Sequence, residues 1–150
     1  MAIIENDILI EASPAAVERC FTDLERMRRW LHPLLRIEPV PREGPWRTDL
    51  GAESRFTLAI PGLEPSLVSR VVRRDPQRIH WAFDGFFVGE DHWHWAPESG
   101  GCRLHNRFEF TIPNRVVAWG YERFGAPLTG RDMAAQLERI RDLARADDQG

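Results

Sequence analysis

The residues best suited to chemistry in this sequence are a carboxylic acid and an amide that alternate with aromatic side chains. Asp91 stands two residues before Trp93, and Asn106 stands two residues before Phe108. Residues i and i+2 of a β-strand point to the same side of the sheet, so both polar groups are predicted to point inward. Burial raises the pKa of an unpaired carboxylic acid, which can then act as an acid or base near neutral pH. Asp91 is therefore the only candidate for a catalytic residue, the alternative being a hydrated or arginine-paired carboxylate near the end of its strand.

Aromatic residues dominate the predicted inner face of three strands and the predicted C-terminal helix. Any one of them is explained by core packing, because aromatic side chains bury large areas. Taken together they favour a cavity, since ligand pockets are mostly apolar with a few polar groups. The predicted ligand-binding residues are Trp81, Phe83, Asp91, Trp93, Trp95, Asn106, Phe108, Phe110, Trp119 and Tyr121.

A second pattern, His92 and His94, has the spacing of a possible metal site. Two imidazoles at i and i+2 share one face of a strand, with Cα atoms about 6.6–6.8 Å apart, and can converge on one ion. The segment HWHWAPE also fits part of a cupin-type metal site, but Glu98 falls in a predicted turn and no second half follows. With the tryptophans inward, both histidines point outward, where His105 or Glu109 can pair with them across the strand. We therefore predict from the sequence that the protein binds neither a metal ion at these histidines nor a cofactor.

Composition limits the class of protein. The chain has 150 residues, a net charge of −3 and 43% hydrophobic residues, which predicts a single domain over 1–146 with a frayed tail over 147–150. The small negative charge argues against non-specific binding of nucleic acid. No run of about 18 apolar residues is present, so no transmembrane segment is predicted.

The motifs limit the possible chemistry, and the cysteines indicate a reducing compartment. The sequence contains no GxSxG, P-loop, HExxH or dinucleotide-binding motif, so nucleophilic and nucleotide chemistry has no support. Cys20 and Cys102 lie far apart without CxxC spacing, and the N-terminus does not resemble a signal peptide. These features predict two reduced thiols and a cytoplasmic location.

The elements that must position these residues follow from periodicity and from residues that start and stop elements. Residues 3–12 alternate in hydrophobicity and predict a half-buried strand. Ser13 can cap a helix that begins at Pro14, and Asp23 can cap a second helix. The other boundaries predict helices over about 14–21 and 24–31, strands over 52–60, 64–74, 78–84, 86–96 and 102–112, and a hairpin turn over 97–101.

Two stretches leave alternatives open. Segment 34–50 is rich in proline and could contain a strand that starts at Leu35, the rest being a loop. In the strand at 64–74 two sets of apolar residues compete for the inner face, the set of Leu67 and the set of Val68.

The pattern becomes helical after Pro113, with one apolar stripe that includes Val117 and another that starts at Met133. The two stripes are about 160° out of phase on one ideal helix of 3.6 residues per turn. Gly125-Ala126-Pro127 lies between them and can rotate the chain. The sequence therefore predicts a broken or kinked C-terminal helix.

In this order of elements the chain resembles the START-like superfamily of polyketide cyclase/dehydrase and lipid-transport proteins, also called the helix-grip or SRPBCC superfamily. The matching segments are ASPAAVERCFTDLERMRRWL, DPQRIHWAF, WHWAPESGGCRLHNRFEF and DMAAQLERIRDLA. The resemblance implies an α+β helix-grip fold. In that fold a curved antiparallel sheet of about six to seven strands wraps round a long C-terminal helix, two short helices follow strand one, and an apolar cavity lies between sheet and helix. It implies no shared catalytic residues.

Three functions are compatible with this reading. The first is binding of a hydrophobic small molecule, such as a lipid, a quinone or a polyketide-like compound, in an internal cavity. The second is a cyclase/dehydrase-type enzyme that uses a cavity acid such as Asp91. The third is a protein-interaction or chaperone-regulator module that acts through its outer surface. The sequence does not predict the ligand or the oligomeric state.

Overall fold

The structure is a computed structural model that describes residues 1–59 and 64–149. In it, helices cover one face of an antiparallel sheet. The elements in chain order are β1 (Ala2–Ile10), α1 (Pro14–Thr22), α2 (Leu24–Trp30), β2 (Leu35–Val40), β3 (Glu53–Leu58), β4 (Ser66–Asp75), β5 (Arg78–Gly85), β6 (Val88–Glu98), β7 (Gly101–Thr111), α3 (Arg115–Gly120), a π-helical segment (Tyr121–Gly125) and α4 (Ala126–Gln149). In this part of the chain the sheet has seven strands in the order β1-β7-β6-β5-β4-β3-β2. The predicted α+β helix-grip fold is confirmed.

The alternation along the strands decides which residues face the helices. In β7 the side chains of Cys102, Leu104 and Asn106 are buried, whereas Arg103 and His105 between them are partly exposed. The face that carries the buried set packs against α1, α2 and α4 and is called the inner face below. Antiparallel sheets with one covered face show this alternation because only one side is dry.

The two short helices begin where the sequence predicts. Ser13 caps α1, its Oγ accepting a hydrogen bond from the Ala16 amide at 3.2 Å, and Pro14 occupies the first turn. Asp23 caps α2 by accepting from the Arg26 amide at 3.2 Å. Each cap satisfies backbone donors that the first helical turn leaves without a partner.

The sheet decides the two questions that the sequence left open, namely whether segment 34–50 contains a strand and which residues of the strand at 64–74 face inward. A strand does begin at Leu35, because β2 pairs with β3 along its whole length. In β4 the set of Leu67 faces inward, since Ser69 and Val71 are buried, and a register shift after Val71 leaves Val72 exposed. The predicted strand over 52–60 is β3, and its last predicted residue, Ile60, lies outside the described residues.

The sequence predicts a broken or kinked C-terminal helix, and in the structure a π-helical segment separates α3 from α4. The rotation occurs in the π-helical segment Tyr121–Gly125, where the Ala126 amide donates to the Tyr121 carbonyl five residues earlier. One extra residue in a turn rotates the following stripe by about 100° and keeps the helix continuous. Pro127 has no amide hydrogen and cannot make the usual bond to the residue four positions back, which favours this rearrangement just before it.

The tail is helical and anchored, where the sequence predicts fraying over 147–150. Helix α4 continues to Gln149, and Asp148 accepts hydrogen bonds from both the amide and the hydroxyl of Ser13 at 2.9 Å. Asp147 accepts from Arg26 at 2.6 and 3.1 Å. A carboxylate at the N-terminus of α1 is favourable because that end of a helix carries partial positive charge. Gly150 lies outside the described residues. Among the described residues, no helix is long and apolar enough to cross a bilayer.

Candidate ligand cavity

A cavity of about 620 Å³ lies between the inner face of the sheet and helices α2 and α4. This volume falls within the range of about 300–1,000 Å³ that is usual for small-molecule pockets. Strands β2 to β7, the β5–β6 turn and both helices contribute side chains to its wall. The apolar part of that wall consists of Met27, Trp30, Leu31, Leu34, Leu35, Phe56, Leu58, Leu67, Trp81, Phe83, Phe86, Phe87, Phe108, Leu128, Met133 and Ala135.

The sheet side of the wall is aromatic. The rings of Phe83 and Phe108 stack across strands with centroids 5.5 Å apart. At the β5–β6 turn, Phe87 packs on Phe110 at 4.9 Å and on Tyr121 at 5.8 Å. Such stacked and edge-on pairs contribute about 0.5–1.5 kcal/mol each beyond the burial of their area.

Asp91 is the carboxylate on the sheet wall of the cavity. Its Oδ1 accepts a hydrogen bond from Asn106 Nδ2 at 2.7 Å, and its Oδ2 accepts from Trp93 Nε1 at 2.9 Å. Burial raises the pKa of Asp91 to about 6, and the two hydrogen bonds and nearby His92 oppose that rise. Burial has this effect because a low-dielectric site disfavours the charged form of an acid.

The arrangement around Asp91 leaves it able to accept or donate a proton. Each carboxylate oxygen has two lone pairs, and one protein donor occupies one of them. Among the described residues no further protein donor occupies the remaining lone pairs. A carboxyl group with a pKa near 6 is populated in both protonation states at neutral and mildly acidic pH, as acid–base chemistry requires.

A polar row on α4 forms part of the opposite wall. Gln136 Nε2 donates to Asp132 Oδ2 at 3.0 Å, and Arg139 Nη1 lies 3.8 Å from Asp132 Oδ1. Arg139 also donates to the Trp30 carbonyl at 3.1 Å, which ties α4 to the end of α2. Apolar periodicity does not reveal this row. Its signal in the sequence is the i, i+4, i+7 spacing of three polar residues beside the stripe of Met133.

Four of the predicted ligand-binding residues contribute to the cavity wall: Trp81, Phe83, Asp91 and Phe108. Trp93 and Trp95 point inward as predicted but do not line the cavity, and both side chains are completely buried. Trp95 stacks on Phe21 at 5.0 Å, and Trp93 packs on Phe21 at 5.1 Å. The structure therefore places these two tryptophans in the packed core.

The other four predicted residues take different positions. Asn106 is fully buried behind Asp91 and holds it. Phe110 is buried in the layer behind the wall, and Tyr121 packs on it at 5.5 Å. Burial raises the pKa of the Tyr121 hydroxyl, and a hydrogen bond with Thr129 opposes that rise. Trp119 does not line the cavity and is 57% exposed on α3.

His92 and His94 lie on the outer face of the sheet, away from the cavity. The ring of His92 stacks on His80 with centroids 3.8 Å apart, and its Nε2 lies 3.1 Å from Glu90 Oε1. Burial and the neighbouring His92 lower the pKa of His80 to about 4. Among residues 1–59 and 64–149, no group of three or more His, Cys, Asp or Glu side chains is arranged to hold a metal ion.

Comparison with known proteins identifies relatives of the whole chain. The family model for polyketide cyclase/dehydrase and lipid transport proteins matches residues 1–145. The TTHA0849 protein of Thermus thermophilus is 20% identical, with a TM-score of 0.76 over 97% of this chain and 99% of that one. A Rhizobium leguminosarum protein is 18% identical, with a TM-score of 0.70 over 97% and 95%. The CV1439 protein of Chromobacterium violaceum is 16% identical, with a TM-score of 0.67 over 95% and 97%.

At these identities the solved structures establish a shared fold and no shared ligand. No curated protein matches the chain. The family model spans nearly the entire sequence, and the described residues form a helix-grip fold around an apolar cavity. The chain therefore belongs to the polyketide cyclase/dehydrase and lipid transport family.

Proposed function

We propose that this protein binds a hydrophobic small molecule, such as a lipid, a quinone or a polyketide-like compound, in the cavity between sheet and α4. The observation that carries the proposal is a cavity of about 620 Å³ whose wall is mostly aromatic and aliphatic. Every 100 Å² of apolar surface that a ligand buries there contributes about 2.5 kcal/mol before the costs of binding. Membership of a family that includes lipid-transport proteins supports the same class of ligand.

Polar groups on two walls would orient such a ligand. Asp91 on the sheet side offers a carboxyl group, and Gln136 on the helix side offers an amide. A ligand with an apolar body and one hydroxyl, carbonyl or amine group could satisfy either of them. A few polar contacts set orientation in this kind of pocket, while the apolar wall supplies most of the affinity.

The test is a titration with N-phenyl-1-naphthylamine, an apolar dye whose fluorescence increases in a dry site. Ala135 lines the cavity on α4, whereas its neighbour Ala134 is exposed on the same helix. We expect Ala135→Trp to weaken dye binding at least tenfold, because the indole fills the space, and Ala134→Trp to bind like wild type. Equal affinity in the two variants would contradict the proposal.

A second candidate function is a cyclase/dehydrase-type reaction that uses Asp91 as its acid or base. The specific observation in favour is a carboxyl group on the cavity wall, held by Asn106 and Trp93, with a pKa of about 6. The family description also includes cyclases and dehydrases. In this function Asn106 is a positioning residue, because it acts on the substrate only through Asp91.

A generic probe of a cavity base tests this candidate without knowledge of the natural substrate. In 5-nitrobenzisoxazole, removal of the C3 proton by a base breaks the N–O bond and gives a coloured cyano-nitrophenolate. We expect turnover to increase with pH through about 6, because the carboxylate is the active form of Asp91, and then to level off. Asp91→Asn should abolish turnover and change dye affinity only a few-fold. Turnover that survives in Asp91→Asn would contradict a role for this residue.

A further inference from the structure

An apolar surface that none of the described residues covers lies beside the mouth of the cavity. Helix α3 buries none of its residues, and it exposes 79% of Val116 and 57% of Trp119. Leu128 at the start of α4 is 64% exposed and also lines the cavity. Val116, Val117, Trp119 and Leu128 are called the mouth patch below. Large exposed apolar patches mark interaction sites, because soluble surfaces otherwise avoid them.

The mouth patch is connected to the interior. Leu128 contacts both solvent and cavity, and Tyr121, which follows α3, packs on Phe87 of the cavity wall at 5.8 Å. An apolar molecule that leaves the cavity along this side therefore meets apolar side chains up to the molecular surface. This continuity suits exchange of a ligand with another apolar phase.

The segment that carries the mouth patch has a net positive charge. Residues 115–131 contain three arginines and one glutamate, a net charge of +2, whereas the whole chain carries −3. Within the described part of the chain, Arg115 and Arg131 are exposed and no ion pair involves either of them. Arg123 lies over the Trp119 ring, with 4.9 Å from Cζ to the ring centroid. Arginine and tryptophan side by side are typical of segments that lie in a membrane interface.

We propose that the mouth patch docks on an anionic lipid surface and so directs the cavity towards the membrane. Anionic headgroups would pair with the arginines, and the acyl region would take up Trp119 and the exposed valines. A second copy of this chain is a poorer occupant, because a twofold interface would bring the same unpaired arginines together. This proposal does not depend on the cavity ligand, since docking is measured on the protein alone.

The experiment is flotation with vesicles of phosphatidylcholine and phosphatidylglycerol at 3:1, with pure phosphatidylcholine vesicles as the comparison. We expect binding to the anionic vesicles that declines with salt, and at least a tenfold loss when Val116, Val117 and Trp119 are all changed to Ser. Its matched control changes Leu50 and Val72, exposed apolar residues elsewhere, to Ser. The control should bind like wild type.

Two double charge-reversal variants measure how much of the vesicle binding is electrostatic. Arg115→Glu with Arg131→Glu should abolish anionic selectivity, whereas Arg36→Glu with Arg55→Glu, two exposed arginines on β2 and β3, should change it less than twofold.

The Ser variant of the mouth patch should still bind N-phenyl-1-naphthylamine within about twofold of wild type, which shows an intact fold and cavity. Wild type that does not float, or a Ser variant that floats like wild type, would overturn the proposal. A stable dimer that the Ser variant dissociates, without vesicle binding, would overturn it in favour of a second copy.

Discussion

At the scale of single residues, the pKa of Asp91 results from burial opposed by two neutral donors. Asn106 and Trp93 each stabilise the charged form by donating to one carboxylate oxygen. Removing either donor should therefore raise the pKa above its present value of about 6.

Substitutions of two buried tryptophans, Trp93 and Trp95, test this prediction for the pKa of Asp91, one as the variant and the other as its control. Trp93 Nε1 donates to Asp91, whereas Trp95 Nε1, among the described residues, has no hydrogen-bond partner. We expect Trp93→Phe to raise the pKa of Asp91 by roughly one pH unit, the size of one charge-assisted hydrogen bond. Trp95→Phe should leave it unchanged. The measurement is the ¹³C NMR titration of the Asp91 carboxyl carbon, and equal curves for the two variants would contradict the assignment.

Strand alternation predicts which residues share the inner face, but it does not predict what covers them. Asp91 and Asn106 are predicted on one face, and the structure joins them by a 2.7 Å hydrogen bond. Trp93 has the same parity, yet α1 and α2 pack over it. Coverage depends on the path of two helices across the sheet, and period-2 patterning contains no information about that path.

At the scale of elements, the end of α4 holds the starts of α1 and α2 in place. Arg26 contacts Asp147 through two nitrogens and also donates to Asp23, the cap of α2. These side chains are partly shielded from solvent, so their pairing contributes more than that of an exposed surface pair.

The Asp147 contact predicts a measurable loss of stability. We expect Asp147→Asn to lower the free energy of unfolding by about 1 kcal/mol in urea denaturation. Asp142→Asn is the control, because Asp142 is 68% exposed and, within the described part of the chain, forms an ion pair only with its neighbour Arg141. We expect Asp142→Asn to lower the free energy of unfolding by less than about 0.5 kcal/mol.

The same contact has a defined pH dependence. The hydrogen bond from Arg26 lowers the pKa of Asp147 below 3.8, its ordinary value. A lowered pKa means that the stabilisation is present above the unfolded value and is lost as pH falls through the folded value. The difference between wild type and Asp147→Asn should therefore shrink below about pH 4. A difference that grows on acidification would exclude this ion pair as its cause.

Element boundaries were predictable where a cap or a turn marks them. Ser13 and Asp23 predict the starts of α1 and α2 from local hydrogen bonding alone. The phase change in the C-terminal helix is also predicted, but its place and form are not. Val117 and Leu128 of the first stripe stay exposed, whereas the stripe that starts at Met133 packs on the sheet, and periodicity alone does not predict which of the two is buried.

At the scale of the whole molecule, the cavity arises because the helices do not cover the sheet evenly. Helix α1 fills the space above β6 and β7, where the tryptophans pack. The inner face of β3, β4 and β5 lies beyond that cover, and residues such as Phe56 and Leu67 line the cavity there. Protein interiors are normally close-packed, so a cavity of this size in a chain of this length needs a structural cause.

Methionine methyl groups offer the most direct test of this claim, because the three methionines differ in position. Met27 and Met133 are buried and line the cavity, whereas Met1 is 84% exposed. The measurement is the NMR spectrum of protein labelled with ¹³C at the methionine methyl groups, titrated with N-phenyl-1-naphthylamine. Binding in the cavity predicts that the Met27 and Met133 resonances shift together and saturably while Met1 stays still. Dye that binds without moving those two resonances would contradict the account.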